Sequence, residues 1–307
     1  MRILVVGAGG IGGYFGARLV EKGEDVTFLV RPNRYNLLKE NGLRLKSIHG
    51  DYSFSPQLIT ADSKTASTFD IVLVSTKSYH LKQAINDVKP FVSEGTMVLP
   101  LLNGMAHMDR LVSEFPGQVL GGLCFIETAV SSEGDIVQTS AMHKLVFGEM
   151  DGSKSERINK VIHCFEGTKA PIIYSDKVME DMWNKYLFIT VLSGVTTLFR
   201  SPIGAIRESS GGLDFIRTLF KEVESVMLAG GAQLSEGIIE KHMATVEAQA
   251  SGMKSSMLRD IENGQETEGA HLQGELVRLA EKKGINVPYL HAIYQNLSVY
   301  ELLKNER

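Results

Sequence analysis

Apolar positions fall into two textures along the chain. Up to about residue 175, short apolar runs alternate with stretches of helical periodicity. The runs "RILVVG", "DVTFLVR", "DIVLVST" and "TMVLPLLN" are bounded by turn signals and read as buried parallel strands. Helical stretches such as Gly10–Glu21 and Tyr79–Val88 lie between them. That alternation implies right-handed crossovers and a doubly wound α/β sheet. Further on, "GLCFIETAVSSEGDIVQTS" reads as two strands joined at "SSEG", and "KLVFGE" as an antiparallel addition. A helix over Ser155–Phe165 and a strand at "PIIYS" close this half. From residue 176 the strand-like runs stop. Helical periodicity covers Met179–Leu198, Leu213–Ala229, Ser235–Gln249, Thr267–Lys283 and Pro288–Lys304, punctuated by "GGAQLS", "ENGQET" and "KKGINVP". The expected architecture is an α/β domain over residues 1–175 and an all-α domain over residues 176–307.

Composition narrows the function classes. A chain of 307 residues with 43% hydrophobic and 22% charged residues has the balance of a packed, two-domain globular protein. Its net charge of −4 comes with no basic stripe interleaved with aromatics, which gives nucleic-acid binding no electrostatic footprint. The most apolar run, "YLFITVLSGVTTLF", falls short of the ~20 residues a bilayer-spanning helix needs. The opening strand leaves no room for a secretion signal. Cys124 and Cys164 have no metal-site or disulfide spacing and read as reduced thiols of a cytoplasmic protein.

The opening "GAGGIG" changes the picture. Gly7, Gly9 and Gly12 occupy the G-x-G-x-x-G positions between a strand and a helix. The first glycine permits the turn, the second lets backbone approach a pyrophosphate, and the third lets helix pack on strand. Gly10 and Ile11 then head a helix whose N–H groups and dipole favour phosphate. The second strand ends in Arg31, where a unit for NAD carries an Asp or Glu for the ribose hydroxyls. A guanidinium there suits a 2′-phosphate, with Arg34 one helical turn further on, so NADPH/NADP+ is the expected cofactor. Glu24 and Asp25 precede the strand and cannot replace the missing acid. Lys77 and Asn103 follow the third and fourth strands, at the carboxyl edge where open α/β sheets bind ligands.

With "GAGGIGGYFG", Arg31, "STKSYH", "LLNGM", "GGLCF" and "FGE" in place, the chain resembles the ketopantoate reductases (2-dehydropantoate 2-reductases). "WNKY", "SSMLRDIENGQETE" and "AEKKGINVPYLHAIY" extend the resemblance to about residue 300. What the resemblance implies is NADPH-dependent reduction of a 2-oxo acid in a cleft between a Rossmann domain and a helical domain. It implies ketopantoate as substrate, in pantothenate and coenzyme A biosynthesis. By position, Lys185 matches the family's catalytic lysine, whose ammonium stabilises and protonates the developing alkoxide. Glu268 matches the glutamate that orients the lysine and meets the cofactor. Ser256 matches the serine for the substrate carboxylate. Asn103 matches the asparagine near both cofactor and substrate, and Lys77 the lysine near the nicotinamide. His271 reads as structural. The partners expected are a small 2-oxo acid and a second copy of the chain as a homodimer, with no nucleic acid and no membrane.

The pattern departs from the resemblance beside the lysine. Members of that family usually carry an Asn four residues after it, and here the position is Ile189, with Ser193 one turn on. Ala270 and Gln273 likewise stand where many members have an acid and an Asn. These changes bear on which 2-oxo acid is accepted: a bulkier or more apolar one is the alternative to ketopantoate, and a non-catalytic NADPH-binding regulator is the alternative to an enzyme.

Overall fold

The computed structural model describes residues 1–63 and 68–306. The chain divides into two compact units, Met1–Leu102 with His107–Val178, and Asn103–Ala106 with Met179–Arg307.

In the first unit the elements run β1 (Arg2–Val6), α1 (Gly10–Lys22), β2 (Asp25–Leu29), α2 (Pro32–Asn41), β3 (Leu43–Ser47), β4 (Tyr52–Phe54), β5 (Gln57–Ile59) and β6 (Ile71–Val74). They continue with α3 (Leu81–Val88), β7 (Met97–Pro100), α4 (Ala106–Glu114), β8 (Gly121–Val130), β9 (Ile136–Gly148), α5 (Glu156–Phe165) and β10 (Ile172–Tyr174). Five parallel strands form a Rossmann-type sheet in the order β5-β2-β1-β6-β7. Its central strands are buried on both faces, which is why Ile3–Val6 and Ile71–Val74 are unbroken apolar runs rather than alternating ones. Helix α1 ends at Gly23, whose φ of +104° turns the chain so that the next N–H, of Glu24, donates to the Leu19 carbonyl at 3.0 Å.

The segment after β7 differs from expectation. "DIVQTS" and "KLVFGE" are not separate strands but one 13-residue strand, β9. It pairs antiparallel with β8, and an irregularity between Ile126 and Thr128 absorbs the change of register. That lets β9 continue through Ser140–His143. β9 also lies parallel to β3 and β10, so it anchors a second, mixed sheet of order β10-β9-β3-β4.

Helix α1 packs against both sheets through a polar cluster as well as apolar contacts. Tyr14 Oη lies 2.5 Å from His143 Nδ1, and the His143 ring stacks on His49 with centroids 3.5 Å apart. Burial holds the His143 imidazole below its ordinary pKa, with His49 and Arg18 adding to the effect. In the second unit His242 is also depressed by burial, against the opposing hydrogen bond it makes to the Asn184 carbonyl. Below ~6.5 the unfolded chain therefore takes up protons that the folded chain resists. Stability is complete above that pH and falls as pH drops through the window towards the depressed values. The thermal midpoint should decline from pH 7 to pH 5, and His143→Gln should make that slope shallower while leaving the His242 contribution.

The second unit is helical: α6 (Val178–Phe199, counted in this unit from Met179), α7 (Ile203–Glu208), α8 (Gly212–Ala229), α9 (Ile238–Ala248), α10 (Ser256–Glu262), α11 (Gly269–Lys283) and α12 (Pro288–Asn305). The short α7 and α10 join the five helices that periodicity predicts. Helix α11 packs on α8 and α12. The apolar run "YLFITVLSGVTTLF" lies within α6, and its hydroxyls bond back to its own carbonyls. Ser193 Oγ donates to Ile189 O at 2.6 Å, Thr196 Oγ1 to Leu192 O at 2.8 Å, and Thr197 Oγ1 to Ser193 O at 2.7 Å. Among the described residues no helix is long and apolar enough to cross a membrane.

Candidate active site

The glycine loop follows β1, the middle strand of the parallel sheet. Gly7 has a φ of +93°, a region other residues rarely adopt. A Cβ on Gly12 would lie 2.1 Å from the Gly7 carbonyl oxygen and 2.1 Å from Ser75 Oγ, so only glycine lets α1 start this close to the strand ends. A Cβ on Gly9, by contrast, would meet nothing within 4 Å, leaving the backbone open to approach. Gly9 caps α1 without a side-chain hydrogen bond, and no acid sits in the first turn. The N–H groups at Gly10, Ile11 and Gly12 therefore have no intrahelical acceptor and no competing carboxylate. Open backbone, a helix N-terminus and flanking cations fit a dinucleotide phosphate.

Arg31 and Lys77 follow β2 and β6, the two strands that flank β1. Arg31 caps α2 and is exposed, with Nη1 3.3 Å from His80 Nε2. The pre-organised Pro32 after it starts the helix and points the chain away from the strand end. Lys77 is half-buried and precedes the turn at Ser78–His80. Arg34, one helical turn past Arg31, is bonded to backbone carbonyls. Its Nε and Nη2 donate to the Ala8 carbonyl at 3.3 and 3.1 Å, and Nη1 donates to Gly134 O at 3.0 Å. These bonds brace the glycine loop at Ala8. Asp25, at the start of β2, is bonded by Gln57 Nε2 at 2.9 Å, at the opposite end of that strand from Arg31.

In the second unit, Lys185 and Asn103 come together. Lys185 Nζ donates to Asn103 Oδ1 at 2.8 Å, across 82 residues of sequence. Asn103 sits three residues past the end of β7, and its backbone carbonyl accepts a hydrogen bond from His271 Nε2 at 2.9 Å. The next residue, Gly104, has a φ of +82°, and a Cβ there would lie 2.9 Å from Leu272 Cδ2 and 3.1 Å from His271 Nε2. Tyr186 Oη donates to Leu272 O at 2.6 Å, and burial raises its pKa so that it stays a donor. Glu268 is buried and caps α11, its carbonyl accepting from the His271 and Leu272 N–H groups at 3.0 and 2.9 Å. Ser256 is exposed in the first turn of α10. Its neighbour Ser255 caps that helix and bonds Thr196 Oγ1 at 2.7 Å, fixing α10 to α6.

Sequence reasoning overlooked the ring formed by Lys185, Asn103, His271, Leu272 and Tyr186. The available signal was "NGM" together with the His four residues into the "TEGAH" segment. The departures are also explained in part. Ile189 lies half-buried one turn from Lys185 on α6. Gln273 is fully buried, and its Nε2 donates to Thr190 O at 3.0 Å and Ser193 Oγ at 2.8 Å. Ser193 and Gln273 thus clamp α6 to α11. Nothing in the structure explains Ala270.

Known proteins match this arrangement over its whole length. The family models for ketopantoate reductase PanE/ApbA and its C-terminal region match residues 3–152 and 177–301. An uncharacterized oxidoreductase, YkpB, of Bacillus subtilis is 46% identical over 99% of this chain and 100% of its own. The 2-dehydropantoate 2-reductase of Pyrococcus abyssi is 26% identical over 100% of this chain and 98% of its own. The crystal structure of 2-dehydropantoate 2-reductase from Methylococcus capsulatus superimposes with a TM-score of 0.86 at 27% identity, covering 99% of this chain and 98% of that one. The chain belongs to the ketopantoate reductase family of oxidoreductases.

Proposed function

We propose that this protein reduces a 2-oxo acid to the 2-hydroxy acid with NADPH, and that ketopantoate is the leading substrate, which would place it in pantothenate biosynthesis. The observation that carries the reading is the Lys185 ammonium, held 2.8 Å from Asn103 Oδ1 at the start of a helix-lined frame. When bound, the nicotinamide supplies the hydride. Gly9, Gly10, Ile11 and Gly12 would hold the pyrophosphate through backbone N–H groups, over the turn made by Gly7, whose own N–H donates to the Leu29 carbonyl at 3.0 Å, and Arg31 would pair with the 2′-phosphate. Lys77 adds positive charge at the next strand end. Lys185 stabilises negative charge as it builds on the substrate's ketone oxygen, then donates a proton to that oxygen. Asn103 Oδ1 takes one of the three ammonium N–H groups and so fixes the direction in which the ammonium points. Glu268 orients the lysine and relays the replacement proton, and Ser256 donates to the substrate carboxylate. A cytoplasmic location and a homodimer belong to the same reading. Cys124 and Cys164, buried and not joined in a disulfide, fit a reducing compartment.

Ile189 favours a second reading in which the preferred 2-oxo acid has an apolar tail. A substrate hydroxyl placed against it would lose a hydrogen bond, and the nearby Ser193 Oγ is already engaged by the Ile189 carbonyl and the Gln273 Nε2 donor. An unmet partner of this kind costs about 1–3 kcal/mol, a factor of roughly ten to a hundred. Initial rates with NADPH on ketopantoate and on 3,3-dimethyl-2-oxobutanoate, which lacks the hydroxyl, separate the two readings. A strong preference for ketopantoate supports the first. Comparable rates, with Ile189→Asn raising ketopantoate kcat/KM about tenfold, support the second. No turnover of either, or of any other 2-oxo acid, would overturn both.

A further inference from the structure

Asn103 can place the Lys185 ammonium only if its own backbone is held. It stands in a four-residue segment, Asn103–Ala106, that follows a strand end and lies within the helical unit. An asparagine in such a loop has no helix or sheet ladder to fix its carbonyl. Here the carbonyl is taken by the Nε2–H of His271 at 2.9 Å, while Oδ1 of the same residue accepts from Lys185 at 2.8 Å. Gly104 brings the loop flat against that imidazole, close enough that a Cβ would lie 3.1 Å from Nε2. The other side of the frame is equally fixed. The Tyr186 hydroxyl, next to Lys185 in sequence, donates to the carbonyl of Leu272, next to His271, at 2.6 Å. Two adjacent pairs, Lys185–Tyr186 on α6 and His271–Leu272 on α11, therefore close a ring through Asn103.

We propose that His271 is a positioning residue: it holds the Asn103 carbonyl so that the asparagine side chain aims the Lys185 ammonium. Nothing in the ring requires the imidazole to exchange a proton. A donor N–H at that point is sufficient, and an amide side chain can supply one. His271 therefore acts through Asn103, and removing it should lower the rate of the chemical step without weakening cofactor binding. This rests on the reading of Lys185 as the proton donor.

The test compares His271→Phe, which keeps a ring and removes the donor, with His271→Gln, which restores an N–H, in wild-type and Asn103→Ala backgrounds. His271→Phe should lower kcat about tenfold to a hundredfold, with KM for NADPH unchanged. His271→Gln should recover most of that loss. In the Asn103→Ala background the His271→Phe effect should nearly vanish, because the residue it acts through is gone. Full activity in His271→Phe, or losses that simply multiply with Asn103→Ala, would overturn the proposal. Amide hydrogen exchange over residues 103–106 provides a reading that does not depend on turnover. It should rise in His271→Phe and return in His271→Gln, and unchanged exchange would overturn the proposal even if the wild type reduced no 2-oxo acid. A wild type that is inactive with every 2-oxo acid, but loosens at 103–106 in His271→Phe, would instead remove only the assignment of the reaction.

Discussion

Replacing Lys185 by alanine should lower kcat about a hundredfold to ten-thousandfold, the range for losing a positioned proton donor. Binding of NADPH, followed by its fluorescence, should stay within a factor of two, because the glycine loop and Arg31 are untouched. The reason lies in the order of events at the ketone. Hydride arriving at carbon leaves an alkoxide, and without an ammonium beside it that charge has only water to stabilise it. Lys185→Arg should not rescue the rate, since a guanidinium keeps its proton at any accessible pH and its planar fork does not match the ammonium geometry set by Asn103 Oδ1. A Lys185→Ala enzyme within tenfold of wild type would remove the lysine from the mechanism and transfer attention to Glu268.

The second large effect is expected at Arg31. Arg31→Ala should raise KM for NADPH about tenfold to a hundredfold and leave KM for NADH nearly unchanged, as befits a charge-assisted contact to a phosphate that only one cofactor carries. Arg31→Asp should go further and favour NADH, because a carboxylate repels the 2′-phosphate and can hold the free ribose hydroxyl. The guanidinium is exposed at the end of β2 and lies 3.3 Å from His80 Nε2, so it can turn to a ligand without breaking a buried contact. Parallel loss with both cofactors would mean that Arg31 supports the fold of the strand end rather than selecting the phosphate. Raising the salt concentration should weaken NADPH more than NADH in the wild type and erase that difference in Arg31→Ala.

The sequence disclosed the parallel sheet because its strands are buried on both faces and are therefore unbroken apolar runs between turn residues. It disclosed the glycine loop for a related reason: contacts as close as Gly12 to the Gly7 carbonyl oxygen exclude every other residue. Strands β3, β4 and β5 were not legible. They are three to five residues long, half-exposed and mixed in polarity, and their pairing partners lie up to about a hundred residues away. The second sheet exists because β9 runs on through Ser140–His143, joining the part that pairs with β3 to the part that pairs with β10. At the candidate site, residue types could be read from spacing, but not which side chain meets which. His271 looked like an ordinary helical histidine, because its partner is the backbone of Asn103, 168 residues away in sequence and invisible to any pattern of side chains. The bonds of Arg34 to the Ala8 and Gly134 carbonyls were hidden for the same reason, since both partners are backbone.

The most direct test of the whole account is the initial rate of NADPH oxidation, followed at its absorbance band, with ketopantoate and a small set of other 2-oxo acids. NADH is run beside it under identical conditions. The expected result is turnover of at least one 2-oxo acid, faster with NADPH than with NADH at low cofactor concentration, yielding the 2-hydroxy acid in equal amount to the NADPH consumed. Tight NADPH binding with no oxidation by any 2-oxo acid would contradict it.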